Sequence, residues 1–403
     1  MTEPEYRQAP TLARSAAAAP VSSRRLQQSS SAFFRNAIIS SDGSCALVAA
    51  DDRSLSLYMM SVTVTTSARS NHIAPTSTSA APWTPVWHYT PPDALLSFQW
   101  FPHASPSNPP YFAFVVAVKD HPVQLLDGAD HRLRATYAII DHQERFVAPH
   151  SMVFTPDGSH LICGYDNALE IFDVSLPGAE GIRIPTSPTK KSRSGQKGII
   201  SSLTISPDAT LVAAGSFSGS VGLYDLTLDA KLIKVIRTNE RGGVTQVLFH
   251  PSGHLLYVAS RLSRSIEVID MRNLNKPLGR YPRRARTNQR LGIDVDPSGT
   301  WLAAGDVTGK ISFYSAEFDP LNATPFYSLK AAQEPIGSCH YVPGTKQLMT
   351  CSGSRKFQVM GSGDTSSGSD SESDGEGDGD RPETETASKP TARGDSLQLW
   401  DQT

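Results

Sequence analysis

The chain has 403 residues, 39% hydrophobic and 19% charged, a length that suits either several ordinary domains or one large repeat fold. Its longest strongly apolar run, Tyr111 to Val118, is far short of the about 20 residues that span a bilayer, and its four cysteines (Cys45, Cys163, Cys339, Cys351) form no Cys-x-x-Cys pair, which argues against a membrane helix, a zinc site and a disulfide scaffold. The net charge of -2 conceals an asymmetry: residues 361–386 carry nine acids against Arg381, or -8, so the remainder is +6.

In chain order, residues 1–31 read as an N-terminal tail. The Ala-rich stretch 15–20 lacks Leu, Ile and Phe and is not read as a secretory signal. A first unit spans 37–58 (AIISSDGS, then CALVAADDRSLSLY), and the Ser/Thr/Ala/Pro-rich residues 61–94 read as a long connection to a second unit. That second unit comprises Leu95 to Pro102, 111–118 and 123–127. Four plainer units follow: SMVFTPDGSHLICGYDNALEIFD (151–173), SLTISPDATLVAAGSFSGSVGLYD (202–225), QVLFHPSGHLLYVASRLSRSIEVID (246–270) and GIDVDPSGTWLAAGDVTGKISFYS (292–315). A seventh combines 336–344, 347–353 and 396–401 around an insert at 360–394 that is rich in Gly, Ser, Asp and Glu and expected to be disordered.

The turn prolines Pro156, Pro207, Pro251, Pro297 and Pro343 are spaced 51, 44, 46 and 46 residues apart, close to the roughly 40–45 residues of a four-stranded WD40 blade. Each unit is physically coherent. Apolar inner positions such as Val247 and Phe249 precede a Pro-Asp/Ser-Gly turn, in which Pro presets φ and Gly takes positive φ. A small-residue strand such as 211–215 then packs between neighbours, and the third strand ends in a large side chain. No unit buries both faces alone, so the units must stack radially. The expectation is an all-β, seven-bladed WD40 β-propeller over 32–403, monomeric, with a disordered tail and an acidic insert in the last blade. The earlier blades continue past their third strand, as 231–236 does after Asp225, whereas only two residues follow Asp401. A segment within 20–31 is therefore expected to pair with 396–400 as the closing outer strand.

Further motifs go beyond a generic repeat. PHSMVFTPDGSHLICGY (149–165), GQKGIISSLTISPDATLVAAGSFSGSVGLYD (195–225), GGVTQVLFHPSGH (242–254) and TNQRLGIDVDPSG (287–299) resemble the telomerase Cajal body protein family, as does ISSDGSCALVAADDRSLSLY (39–58). The resemblance covers nearly all of 33–355 and the terminal strand. The sequence departs in its third-strand endings, which read Trp-Asp only at Trp400-Asp401. The resemblance implies a nuclear WD40 scaffold that binds small Cajal-body-type RNAs, telomerase RNA among them, assists their localisation and associates with box H/ACA ribonucleoprotein proteins; the localisation expected is nuclear, in Cajal bodies, with room for a cytoplasmic fraction. A purely protein-binding scaffold is the alternative.

The candidate RNA-binding residues follow charge. Arg280, Arg283, Arg284, Arg286 and Arg290 place five guanidinium groups within eleven residues, joined by Arg272, on what reads as the connection between the fifth and sixth units. Guanidinium pairs with phosphate and stacks on bases. Asn288 and Gln289 offer base-edge hydrogen bonds, and Lys190, Lys191 and Arg193 form a second basic loop. In the insert, Ser367, Ser369, Ser371 and Ser373 each have an acid three residues on, the pattern acid-directed kinases favour. No nucleophile–base constellation, phosphate loop, metal-spaced cluster or cofactor fingerprint appears, so a non-enzymatic, cofactor-free protein is expected.

Overall fold

The computed structural model describes residues 22–26, 32–60, 83–189, 191–227, 230–240, 242–354 and 396–401. Strand β1 (Ser22–Leu26) comes first. The first blade then takes β2 (Phe34–Ile39), β3 (Cys45–Ala50), β4 (Leu55–Met59) and β5 (Pro85–Tyr89), and the second β6 (Leu95–Trp100), β7 (Ala113–Val118), β8 (Val123–Asp127) and β9 (Leu133–Tyr137). The third holds β10 (Ser151–Phe154), β11 (His160–Tyr165), β12 (Ala168–Asp173) and β13 (Ile182–Pro185), and the fourth β14 (Ile200–Ile205), β15 (Leu211–Ser216), β16 (Ser220–Asp225) and β17 (Lys231–Arg237). The fifth holds β18 (Val244–Phe249), β19 (Leu255–Ser260), β20 (Ser263–Asp270) and β21 (Gly279–Ala285), and the sixth β22 (Ile293–Val295), β23 (Trp301–Gly305), β24 (Lys310–Ser315) and β25 (Tyr327–Lys330). Strands β26 (Ile336–Tyr341), β27 (Gln347–Ser352) and β28 (Ser396–Asp401) complete the set. Seven four-stranded antiparallel sheets make a seven-bladed β-propeller, each running in chain order except the last, whose order is β26-β27-β28-β1.

The ring is closed by that exception. Strand β1 pairs antiparallel with β28, Ser22 opposite Trp400 and Leu26 opposite Leu397. The N-terminal strand thus becomes the outer edge of the blade that the C-terminal strand builds, which leaves no unpaired edge on β28.

The core lies between blades. The small-residue second strands are fully buried in β3 and β7, and their neighbours' side chains fill the seams. Buried tyrosines bridge elements through their hydroxyls: Tyr137 donates to Val174 O at 2.9 Å and Tyr281 to Ser315 O at 2.6 Å. The Gly-His dipeptide usual before a WD40 inner strand is missing from the sequence, and before the fourth blade Gln196 does its work. Fully buried, Gln196 donates to Ala214 O (2.7 Å) and Ser220 O (3.2 Å) and accepts from the Tyr224 hydroxyl (2.9 Å). Position 222 must stay Gly, because a Cβ there would lie 2.4 Å from Gln196 Oε1.

Strand alternation gives the ring two distinct faces. The upper face carries the turns between second and third strands and the links from each outer strand to the next inner strand. The lower face carries the Pro-Asp/Ser-Gly turns. There the turns touch in sequence around the ring. His250 bonds Gly299 O through Nε2 at 2.9 Å, and Gly43, at φ +73°, lies so close that a Cβ would meet Pro343 O at 2.8 Å.

Two expected connections turn out to contain strands. Residues 85–89 are not part of a linker between blades but the outer strand β5, where Trp87 stacks on Phe114 at 5.5 Å and donates to Gly128 O at 2.9 Å. The arginine-rich stretch is likewise the outer strand β21, which buries Tyr281, Arg283 and Ala285 and exposes Arg280, Pro282 and Arg284 in strict alternation. The readings made for residues 1–21 and 61–82 and for the acidic insert lie outside the described residues.

Candidate nucleic-acid interface

Strand β21 divides the predicted arginine cluster between environments. Arg272 lies beyond the lower end of β20, while Arg284, Arg286 and Arg290 lie at or beyond the upper end of β21. Arg272 grips Asp270 through Nε and Nη2, both at 2.9 Å, and the bond holds the Asp270 carboxyl down to about 2. It caps a turn on the face opposite the other arginines, so it does not belong to one surface with them.

Arg283 is also removed from that surface. It is 7% exposed, with Nε donating to Gly305 O (2.8 Å) and Nη2 to Leu291 O (2.6 Å). It pins the fifth blade's outer strand to the sixth blade, and burial lowers its pKa to about 10. Gln289 is partly engaged, its amide donating to Gly353 O at 2.8 Å, which ties this loop to the seventh blade. Asn288, Arg284, Arg286 and Arg290 are exposed. Lys191 and Arg193 are exposed on the link between β13 and β14, on the same upper face, and Lys190 lies outside the described residues. The four serines of the insert do too.

The upper face gathers further cations that no local motif announced. Arg237 ends β17, Arg261 sits in the β19–β20 turn, Arg264 follows it, and Arg35 and Arg53 stand at the upper end of the first blade. Ion pairs are unevenly spread over the surface, with Lys119 and Asp120 paired at 3.4 Å in the β7–β8 turn of the upper face. On the lower side, Arg134 and Arg132 pair with Asp127 at 2.7 and 3.6 Å, and Arg272 with Asp270 at 2.9 Å. At the upper end, Arg145 pairs with Asp141 at 3.2 Å. Arg35, Arg53, Arg193, Arg237, Arg261, Arg264, Arg284, Arg286 and Arg290 have no carboxylate within 4.0 Å among the described residues. Carboxylates in that sector are already engaged. Asp306 is buried and accepts from the Thr308 and Lys310 amides, while Glu240 accepts from Ser265 Oγ.

Electrostatic stress marks the centre of this face. Arg290 is exposed, with neighbouring protein close to its guanidinium, whose carbon lies 5.7 Å from the Phe217 ring centroid. This crowding, and then the charge of Arg35, push its pKa down to about 10. Half-buried His150, before the third blade's inner strand, is lowered by burial and then by Arg290. The arrangement is a set of preorganised, uncompensated positive groups, suited to an anion with several charges.

The chain carries a match to the WD domain, G-beta repeat family over residues 188–225, which takes in the link before the fourth blade and that blade's first three strands. Over 318 residues, 78% of this chain, it is 29% identical to telomerase Cajal body protein 1 of Bos taurus. The human protein of that name is 28% identical over 319 residues. This chain is similar to the telomerase Cajal body proteins over most of its length. It spans 57% of the length of the bovine one and 56% of the human one. A guanine nucleotide-binding protein negative regulator 1 of Schizosaccharomyces pombe is 32% identical over 225 residues, covering 54% of this chain and 56% of that protein. The likeness to telomerase Cajal body proteins thus extends across the propeller, well beyond the single repeat that the family match covers.

Proposed function

We propose that this protein is a non-enzymatic RNA-binding adaptor that holds a small nuclear, Cajal-body-type RNA on the upper face of its propeller. The observation that carries the reading is the asymmetry of ion pairing: lower-face arginines are neutralised by aspartates, while those over the fourth to sixth blades are not. Phosphate binding needs a cluster of cations left uncompensated on one surface, and the arginines over the fourth to sixth blades supply one. The relatives' printed name supports a link to telomerase and a nuclear, Cajal-body location; telomerase RNA among the bound RNAs and a cytoplasmic fraction are part of the same proposal. Box H/ACA ribonucleoprotein proteins are the protein partners in this reading. Ser367, Ser369, Ser371 and Ser373 are proposed phosphorylation sites in the connection between β27 and β28, which leaves and rejoins the propeller at its upper face. Crosslinking the protein to RNA in cells and sequencing the captured RNA tests the assignment. Enrichment of small nuclear RNAs of the H/ACA type supports it; recovery of RNA no different from an unrelated propeller's would overturn it.

A further inference from the structure

Phe217 sits between β15 and β16, in a turn whose other residues are Ser218 and Gly219. A phenylalanine is out of place in such a turn, yet its ring is only half-buried and no apolar cluster includes it. Two cations cover it instead. The Arg261 guanidinium carbon lies 4.7 Å from the ring centroid and that of Arg290 lies 5.7 Å away. These arginines come from different blades, one from the β19–β20 turn and the other from the link into β22. Neither has a carboxylate within 4.0 Å among the described residues, and neither does Arg35. Gly243 holds the geometry: a Cβ there would lie 2.4 Å from Phe217 O.

We propose that Phe217, Arg261, Arg290 and Arg35 form a single-nucleotide site at the mouth of the central channel, taking one unpaired nucleotide of the bound RNA. It rests on the RNA reading above and adds where and how a base is held. The Arg261 guanidinium, 4.7 Å from the Phe217 ring centroid, presents its outer side to a base. A planar cation fixed on an aromatic ring is a stacking platform, and a base laid on it completes a three-layer stack. The base's phosphate lies between Arg290 and Arg35, whose mutual repulsion an anion relieves. Paired bases cannot reach such a platform, so the site selects single-stranded over duplex RNA.

The test uses the full chain, a 12-nucleotide oligouridine carrying 4-thiouridine, and an RNA duplex of equal length. Binding is read by fluorescence anisotropy for wild type, Phe217→Leu, Arg261→Gln and the outer-rim double variant R284Q/R286Q, with matched melting curves confirming each fold. The site predicts that F217L and R261Q each weaken single-strand binding about tenfold and leave duplex binding within twofold, while R284Q/R286Q weakens both. Thiouridine crosslinks should map to peptides containing residues 217 and 261. If wild type binds neither RNA, the RNA reading itself fails. If wild type binds the single strand and F217L and R261Q bind it equally well, or crosslinks map elsewhere, the nucleotide site alone is overturned.

Discussion

Arg283 and Arg284 are adjacent and chemically identical, yet one is a wall bolt and the other a surface cation. The difference is the period of two in β21, which points alternate side chains to opposite faces. Replacing Arg283 with Met leaves Gly305 O and Leu291 O without their donor, so stability should fall by about 3 kcal/mol in denaturant titration, with RNA affinity of the folded protein unchanged. Glu267 offers a pH test. It is 1% exposed, its Oε2 has no hydrogen-bond partner, and burial raises its pKa; the Asn239 amide and Arg280 at 3.7 Å oppose that shift and Glu240 adds to it. A raised folded pKa means the charged form is disfavoured in the folded state. Stability is then fullest below the ordinary glutamate value and declines as pH rises through the raised one. Glu267→Gln should therefore raise the melting temperature at pH 7–8. The gain should fade as pH falls towards 4.5, where Glu267 becomes protonated in both states.

At the scale of elements, the repeats were readable because each blade restates the same short-range chemistry. Turn prolines at near-constant spacing, small second strands and bulky third-strand ends located the seven blades. The outer strands were harder. They pack on one side only, so PVWHY and GRYPRRA lack the continuous apolar run of a buried strand and passed for linkers. Strand β1 is equally polar in sequence, and the expectation of a strand there came from counting edges, not from its residues. Its pairing with β28 gives a direct prediction. Deleting residues 1–31 leaves β28 with an open edge beside the Trp400 seam. The melting temperature should fall by several degrees, and light scattering should show association. A truncated protein as stable and monodisperse as the full chain would mean that β1 contributes little to closure.

For the whole molecule, function depends on what the ring brings together. Basic runs at 190–193 and 280–290 are visible in the sequence, but which of their members share a face is not. That depends on strand direction, which sends Arg272 to one side and Arg284, Arg286 and Arg290 to the other. Phe217, Arg261 and Arg290 are far apart in the chain and meet because the fourth blade's turn, the fifth blade's turn and the link into the sixth come together on the upper face. The Phe in a Ser/Gly turn was the one local sign of that site. The central claim is that the upper face, and not the lower, engages the RNA backbone. The most direct measurement is the salt dependence of small nuclear H/ACA RNA affinity for wild type, the upper-face variant K191Q/R193Q/R284Q/R286Q and the lower-face variant R272Q. Each lost phosphate contact flattens the log–log slope by about 0.7–0.9. The upper-face variant, which removes four cations, should bind more weakly with a slope flatter by about 3, while R272Q overlays wild type. An upper-face variant with wild-type affinity and slope, or an equal loss in R272Q, would contradict the account.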